Sequence, residues 1–92
     1  MSDIQLSRLI DAYEQLATDL HSRRLEVWDE LARVAPEVAS EILDLFANRD
    51  AAAIWVTKSR DGVQASPAKL VVEGNMTEVV ARIRRAAHGF AA

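Results

Sequence analysis

Residues 54–70 read IWVTKSRDGVQASPAKL, and the fold turns on how they are read. Ile54, Trp55, Val56 and Thr57 favour a strand, and Asp61-Gly62 is a good hairpin turn. The flanks argue the other way. Asp50 followed by Ala51, Ala52 and Ala53 begins like a capped helix, because alanine is the best helix former. Ser66-Pro67 begins another, with Ser66 as N-cap and Pro67 at the first helical position. One reading gives a β-hairpin, the other a helix–loop–helix.

The segments upstream are less ambiguous. Ser2 and Gln5 have the spacing of a capping box, with Gln5 reaching back to the cap. Leu6, Leu9, Tyr13, Leu16 and Leu20 then recur at steps of three and four, which places them on one helical stripe. The stripe pauses at His21-Ser22-Arg23-Arg24 and resumes with Val27, Trp28, Leu31 and Val34. No Gly or Pro interrupts it, so the spacing predicts one long helix from about 3 to 34, bent or exposed near His21. Such a helix has more apolar stripe than a small domain easily covers. Self-association into a homodimer through Leu9, Tyr13, Leu16 and Leu20 is therefore expected, with an ordinary bundle helix as the alternative.

Pro36 ends that helix and opens the next, with Glu37 in its first turn and Val38, Ile42, Leu45 and Phe46 as its apolar face. Downstream, Gly74 stops the helix that Ser66 starts. Asn75 and Glu78 repeat the capping-box spacing, and Val79, Val80, Ile83 and Ala87 carry a last helix to a stop at Gly89. Phe90 stands where such a stop places an apolar residue against the last turn.

Ninety-two residues, half of them apolar, make one small domain. A domain of this size buries only roughly 60–65% of its unfolded surface, so its core is thin. There is no cysteine, hence no disulfide and no thiolate chemistry. No apolar run approaches the roughly 18 residues of a membrane span and the N-terminus is not a signal peptide, so a cytoplasmic protein of bacterial style is expected. Charge is divided unevenly. Residues 1–50 hold eleven acids against five bases, and residues 51–92 three acids against six bases. The acidic front half argues against binding a nucleic-acid backbone, since each phosphate contact needs a basic partner. The local exception is Arg82, Arg84 and Arg85, which also suits a solvated helix end that complements the dipole.

Signatures of an enzyme are missing. His21 and His88 are far apart in sequence and lack acidic neighbours at metal-ligand spacing. Three glycines build no phosphate-cradling loop. Asp29-Glu30 reads as solubilising charge on an acidic helix. No catalytic residue, metal or cofactor is expected, and function must come from a surface.

Residues 50–91 carry a resemblance. DAAAIWV, a loop, and then ASPAKLVVEGNMTEVVARIRRAAHGFAA are similar to the toxin-binding domain of the Xre/MbcA/ParS antitoxin family. There an alanine-rich helix bears a tryptophan, here Trp55. A small residue-Pro-x-x-Leu turn follows, here Ser66-Pro67-Ala68-Lys69-Leu70. A glycine (Gly74), a valine-rich helix (Val79 to Arg85) and a Gly-aromatic ending (Gly89-Phe90) complete the order. EVASEILDLFANRD resembles the preceding helix, so the likeness spans about 35–92. It implies helix–loop–helix at 54–70 and an all-α fold, a small bundle of about five helices with a long N-terminal amphipathic helix.

The resemblance divides the chain into a helical segment at 1–34 and a toxin-binding domain at 35–92. It implies a partner, a RES-type toxin that consumes NAD, neutralised when the last helix and C-terminal tail enter its active site. The residues that would touch the toxin are Arg82, Arg85, His88, Gly89, Phe90, Ala91 and Ala92. Family members also carry an N-terminal helix-turn-helix that binds their operator. Residues 1–34 are too few and too acidic for that bundle. Direct nucleic-acid binding is therefore not expected. An alternative in another class is a helical oligomerisation or adaptor protein of phage or plasmid origin with a different protein partner.

Overall fold

A computed structural model describes residues 3–59 and 64–91, and for residues 90 and 91 the backbone alone. Five helices follow one another: α1 (Asp3–Val34), α2 (Pro36–Phe46), α3 (Arg49–Thr57), α4 (Pro67–Val72) and α5 (Met76–Ala91). No strand occurs among the described residues. The fold is a small all-α bundle, and Ile54–Thr57 form the end of α3. Asp61-Gly62, the proposed turn, lies outside the described residues, as does Ser2 of the first capping box.

Helix α3 accommodates its strand-prone end by a local bond. Thr57 Oγ1 donates to the Ala53 carbonyl at 2.8 Å, the back-bonding open to a β-branched hydroxyl in a helix. Lys58 then turns extended and ends the helix. At the other end the cap is Asn48, not Asp50: its side chain accepts from the Ala51 N–H at 2.7 Å. The helix starts two residues earlier than the Asp50 reading places it, because Asn48 has the extended backbone a cap requires. Asp50 is thereby released for another task. The Ser66 and Asn75 caps form as expected, accepting from the Lys69 and Glu78 N–H groups.

Two left-handed residues make the tight exits. Gly74 has φ of +76°, which lets α4 stop within one residue of Asn75. Ala47 has φ of +63° at the end of α2, and its N–H bonds back to the Leu43 carbonyl at 2.7 Å. A side chain is strained in this region, at a cost of roughly 1–2 kcal/mol.

The core draws on every helix. Ile42 of α2, Val56 of α3 and Val79 of α5 are the largest side chains with no solvent exposure, ringed by Trp28, Leu31, Val38, Leu70 and Ile83. Helices α1 and α3 pack most closely, since Ala52 and Ala53 offer α1 a smooth, fully buried face. Two polar links flank that contact. Arg49 grips Asp29 with two hydrogen bonds, Nε to Oδ1 at 3.0 Å and Nη2 to Oδ2 at 2.6 Å. His21 Nε2 meets Asp50 Oδ1 at 2.8 Å. Asp29 thus does more than solubilise α1, whereas its neighbour Glu30 pairs only with Arg33 along the helix.

Helix α1 belongs to the core only over its last part. Residues 3–20 are exposed throughout, and burial begins at His21. The boundary between the projecting segment and the packed body therefore falls near His21, inside the helix. The molecule is correspondingly long, 55 by 31 by 27 Å.

Urea unfolding tests the caps. Asn48→Ala should cost about 1 kcal/mol, typical of a lost N-cap, while Ala47→Gly should stabilise by roughly 0.5–1 kcal/mol through relief of the left-handed strain. An Asp50→Ala loss larger than that of Asn48→Ala would assign the cap to Asp50 after all.

Candidate functional site

The expected contact residues lie on α5, and the structure separates them by role. Arg82 is drawn into the fold. Its guanidinium donates Nη1 to the carbonyl of Ala65 and Nε to Glu78 at 3.4 Å, and its side chain is only 15% exposed. It fastens α5 to the chain just before α4 and is not free to meet an acidic rim. Arg85, one turn on, is exposed and donates Nη2 to the same Glu78 carboxylate at 2.8 Å. Arg84 points elsewhere and lines a shallow cleft with Met76 and Val80. His88 and Gly89 are exposed.

Gly89 does not stop α5. The backbone stays helical through Phe90 to Ala91, and Gly89 is not left-handed. A glycine in a helix costs about 1 kcal/mol relative to alanine but breaks no hydrogen bond, and Ala86, Ala87 and Ala91 surround it with strong helix formers. The last core side chain of α5 is Ile83, so its final two turns run past the core as helix. The expected Phe90 contact against a helix stop is accordingly replaced by a continuing helix. The side chains of Phe90 and Ala91, and all of Ala92, lie outside the described residues.

Beside Arg82 and Arg85 opens a cleft of about 380 Å³ lined by Trp55, Lys58, Gln64, Pro67 and Ala86 as well. Trp55 forms its apolar wall and is itself braced by Phe46, with ring centroids 5.6 Å apart at a tilt of 40°. Three cations, Lys58, Arg82 and Arg85, border the cleft. Only the arginines were recognisable as site residues from the sequence. Lys58, Gln64 and Pro67 join them through the return of the chain from α3 to α4, a non-local effect that periodicity does not reveal.

Both arginines of the cleft share Glu78 as an ion-pair partner. Its hydrogen bond from Arg85, then the charge of that guanidinium and the bond from Arg82, hold the Glu78 carboxyl below the ordinary glutamate range despite some desolvation. On the opposite flank, the Arg49 hydrogen bonds lower Asp29 in the same way, and Asp29 in turn raises Arg49. No group of His, Asp or Glu suited to hold a metal ion occurs among the described residues, and no described helix is long and apolar enough to cross a membrane.

The oligomerisation residues of the sequence reading are all uncovered. Leu9, Tyr13, Leu16 and Leu20 are 59%, 73%, 68% and 52% exposed, with Leu6 beside them at 57%. No family model matches the chain, and no curated protein or solved structure matches it.

The two arginines should behave differently when removed. Arg82→Ala leaves the Ala65 carbonyl without its donor and should lower stability by about 1–2 kcal/mol in urea unfolding. Arg85→Gln should instead raise the titration midpoint of Glu78, followed by NMR of its carboxyl carbon. The sign follows from linkage: a depressed carboxylate adds stability above its unfolded pKa and loses it as pH falls through the folded one. An unmoved Glu78 midpoint would remove Arg85 as the cause.

Proposed function

We propose that the chain is an antitoxin-like protein-binding module that neutralises a partner enzyme by inserting the end of α5 into its active site. The observation that carries this reading is the continuation of α5 as helix beyond Ile83, its last core side chain, with Arg85 and Ala86 bordering a basic cleft. Its own core does not need that surface. The resemblance of residues 35–92 to the antitoxin toxin-binding domain names the partner class, a RES-type toxin that consumes NAD, acting in the bacterial cytoplasm.

The geometry shapes how such a plug would work. A helix end enters a pocket with its conformation already fixed, so less ordering entropy opposes binding than for a loose tail. Arg85 and Lys58 supply the charge that steers an acidic rim, since Arg82 is occupied within the fold. Gly89 lets two backbones approach closely. Nothing within 4 Å inside the protein requires a glycine there, so a partner's approach would supply the reason for it.

A second reading rests on α1. The exposed stripe of its first eighteen residues favours a helical oligomerisation or adaptor protein, of phage or plasmid origin, with another protein partner.

Co-expression with a RES-type toxin, scored by growth and cellular NAD, tests the first reading. Removing Phe90, Ala91 and Ala92 should abolish rescue while circular dichroism and melting of the body stay close to wild type. Gly89→Ala is the sharper variant. It should stabilise α5 by roughly 0.5–1 kcal/mol and still weaken neutralisation, because the added methyl group meets only the partner. Full rescue by both variants would move the binding surface away from the end of α5.

A further inference from the structure

The exposed face of α1 has a definite form. Leu6, Leu9, Tyr13, Leu16 and Leu20 alternate at steps of three and four, the seam of a two-helix coiled coil. The seam continues on the same line through Val27 and Val34, which are also exposed, at 39% and 59%. Of the core side chains of α1, Leu31 lies about 20° from the line of Leu20, eleven residues on, whereas Trp28 lies about 80° from it, at 100° per residue. The stripe over residues 3–20 is thus uncovered because it runs beyond the body, and the same line enters the core only at Leu31.

We infer that a second copy of this chain covers the stripe, paired antiparallel along α1 with Leu9 opposite Leu20 of the other copy and Tyr13 opposite its Leu16. Three observations select this occupant. The first is area. The five seam side chains are each more than half exposed, and a helix laid along all of them brings the pair toward the lower end of specific interfaces, roughly 1,200 Å² in total. The second is length. Residues 3–20 run for eighteen residues without a neighbour in the body, and most helical stability in proteins comes from packing of an amphipathic face, which pairing supplies.

Charge gives the third observation and the direction. In a parallel pair the next seam position after Leu20 sets Arg23 against Arg23 of its twin, and the position after Val27 sets Glu30 against Glu30. Like charges directly opposed are destabilising. The antiparallel register instead lays Leu6 against the aliphatic stem of Arg23 from the second copy, whose head reaches water. It also brings Asp3 of each copy beside Arg24 of the other, and Ile10 beside Ala17. The acidic beginning of one helix thus meets the basic segment 21–24 of its twin, and the helix dipoles oppose.

Sedimentation equilibrium of the full chain at 10–100 µM (order of magnitude for a seam of this area) should give twice the chain mass of 10.2 kDa. Leu16→Glu with Leu20→Glu should weaken association by about 100-fold or more, with the bundle still folded by tryptophan fluorescence, because neither residue touches the core. Orientation is read by disulfide trapping, made simple by the absence of cysteine. A mixture of Leu9→Cys and Leu20→Cys chains should cross-link between the two variants, and neither variant should cross-link with itself. A monomeric wild type, a larger assembly, or a dimer indifferent to the two glutamates would overturn the pairing. Self-linked Leu9→Cys or Leu20→Cys would overturn its antiparallel direction.

Discussion

The close approach of α1 and α3 is the contact on which the rest depends. Ala52 and Ala53 of α3 are fully buried and add little side-chain bulk, and Trp28 and Leu31 of α1 share the core with them and with Ile42, Val56 and Val79. A larger residue at either alanine would push α1 outward, and overpacking of this kind typically costs about 1–3 kcal/mol. The bidentate Arg49–Asp29 pair and the His21–Asp50 bond fix the two helices against sliding. Exposed ion pairs contribute little energy singly. Their value here is register, because they sit on either side of an otherwise featureless alanine face.

That arrangement explains why α2, α4 and α5 can be short or partly uncovered. Each needs only one row of side chains in the core: Val38, Ala39 and Ile42 from α2, Leu70 from α4, Val79 and Ile83 from α5. The end of α5 and the beginning of α1 are then free of structural duty. Both surfaces proposed for partners lie on these ends, and the cleft beside α5 is bordered by Lys58, Arg82 and Arg85.

Much of this was legible in the sequence, for identifiable reasons. Helix boundaries followed from local chemistry: Pro36, Ser66-Pro67, Gly74 and Asn75 act within a few residues of themselves. The stretch 54–57 was harder, since β-branched side chains favour a strand until Ala53 and Ile54 offer carbonyls to Thr57. Asn48 and Asp50 are both good caps, and composition alone does not rank them; the partner His21, twenty-nine positions away, takes Asp50. Gly89 misled because glycine marks many helix ends, yet it stops a helix only when the next contacts reward a left-handed turn. At the site, the arginine pair was visible as a cluster. The capture of Arg82 by the Ala65 carbonyl was not, because it depends on where the chain returns before α4.

The projection of α1 also has a mechanical side. Residues 3–20 form a rod about 27 Å long at 1.5 Å per residue, joined to the body where His21 meets Asp50. That bond sits at the fulcrum of a lever. A tilt of about 10° there, smaller than the scatter of ordinary helix crossing angles, carries the tip through about 5 Å. A small displacement at one exposed contact is thus geometrically amplified at the far end of the rod.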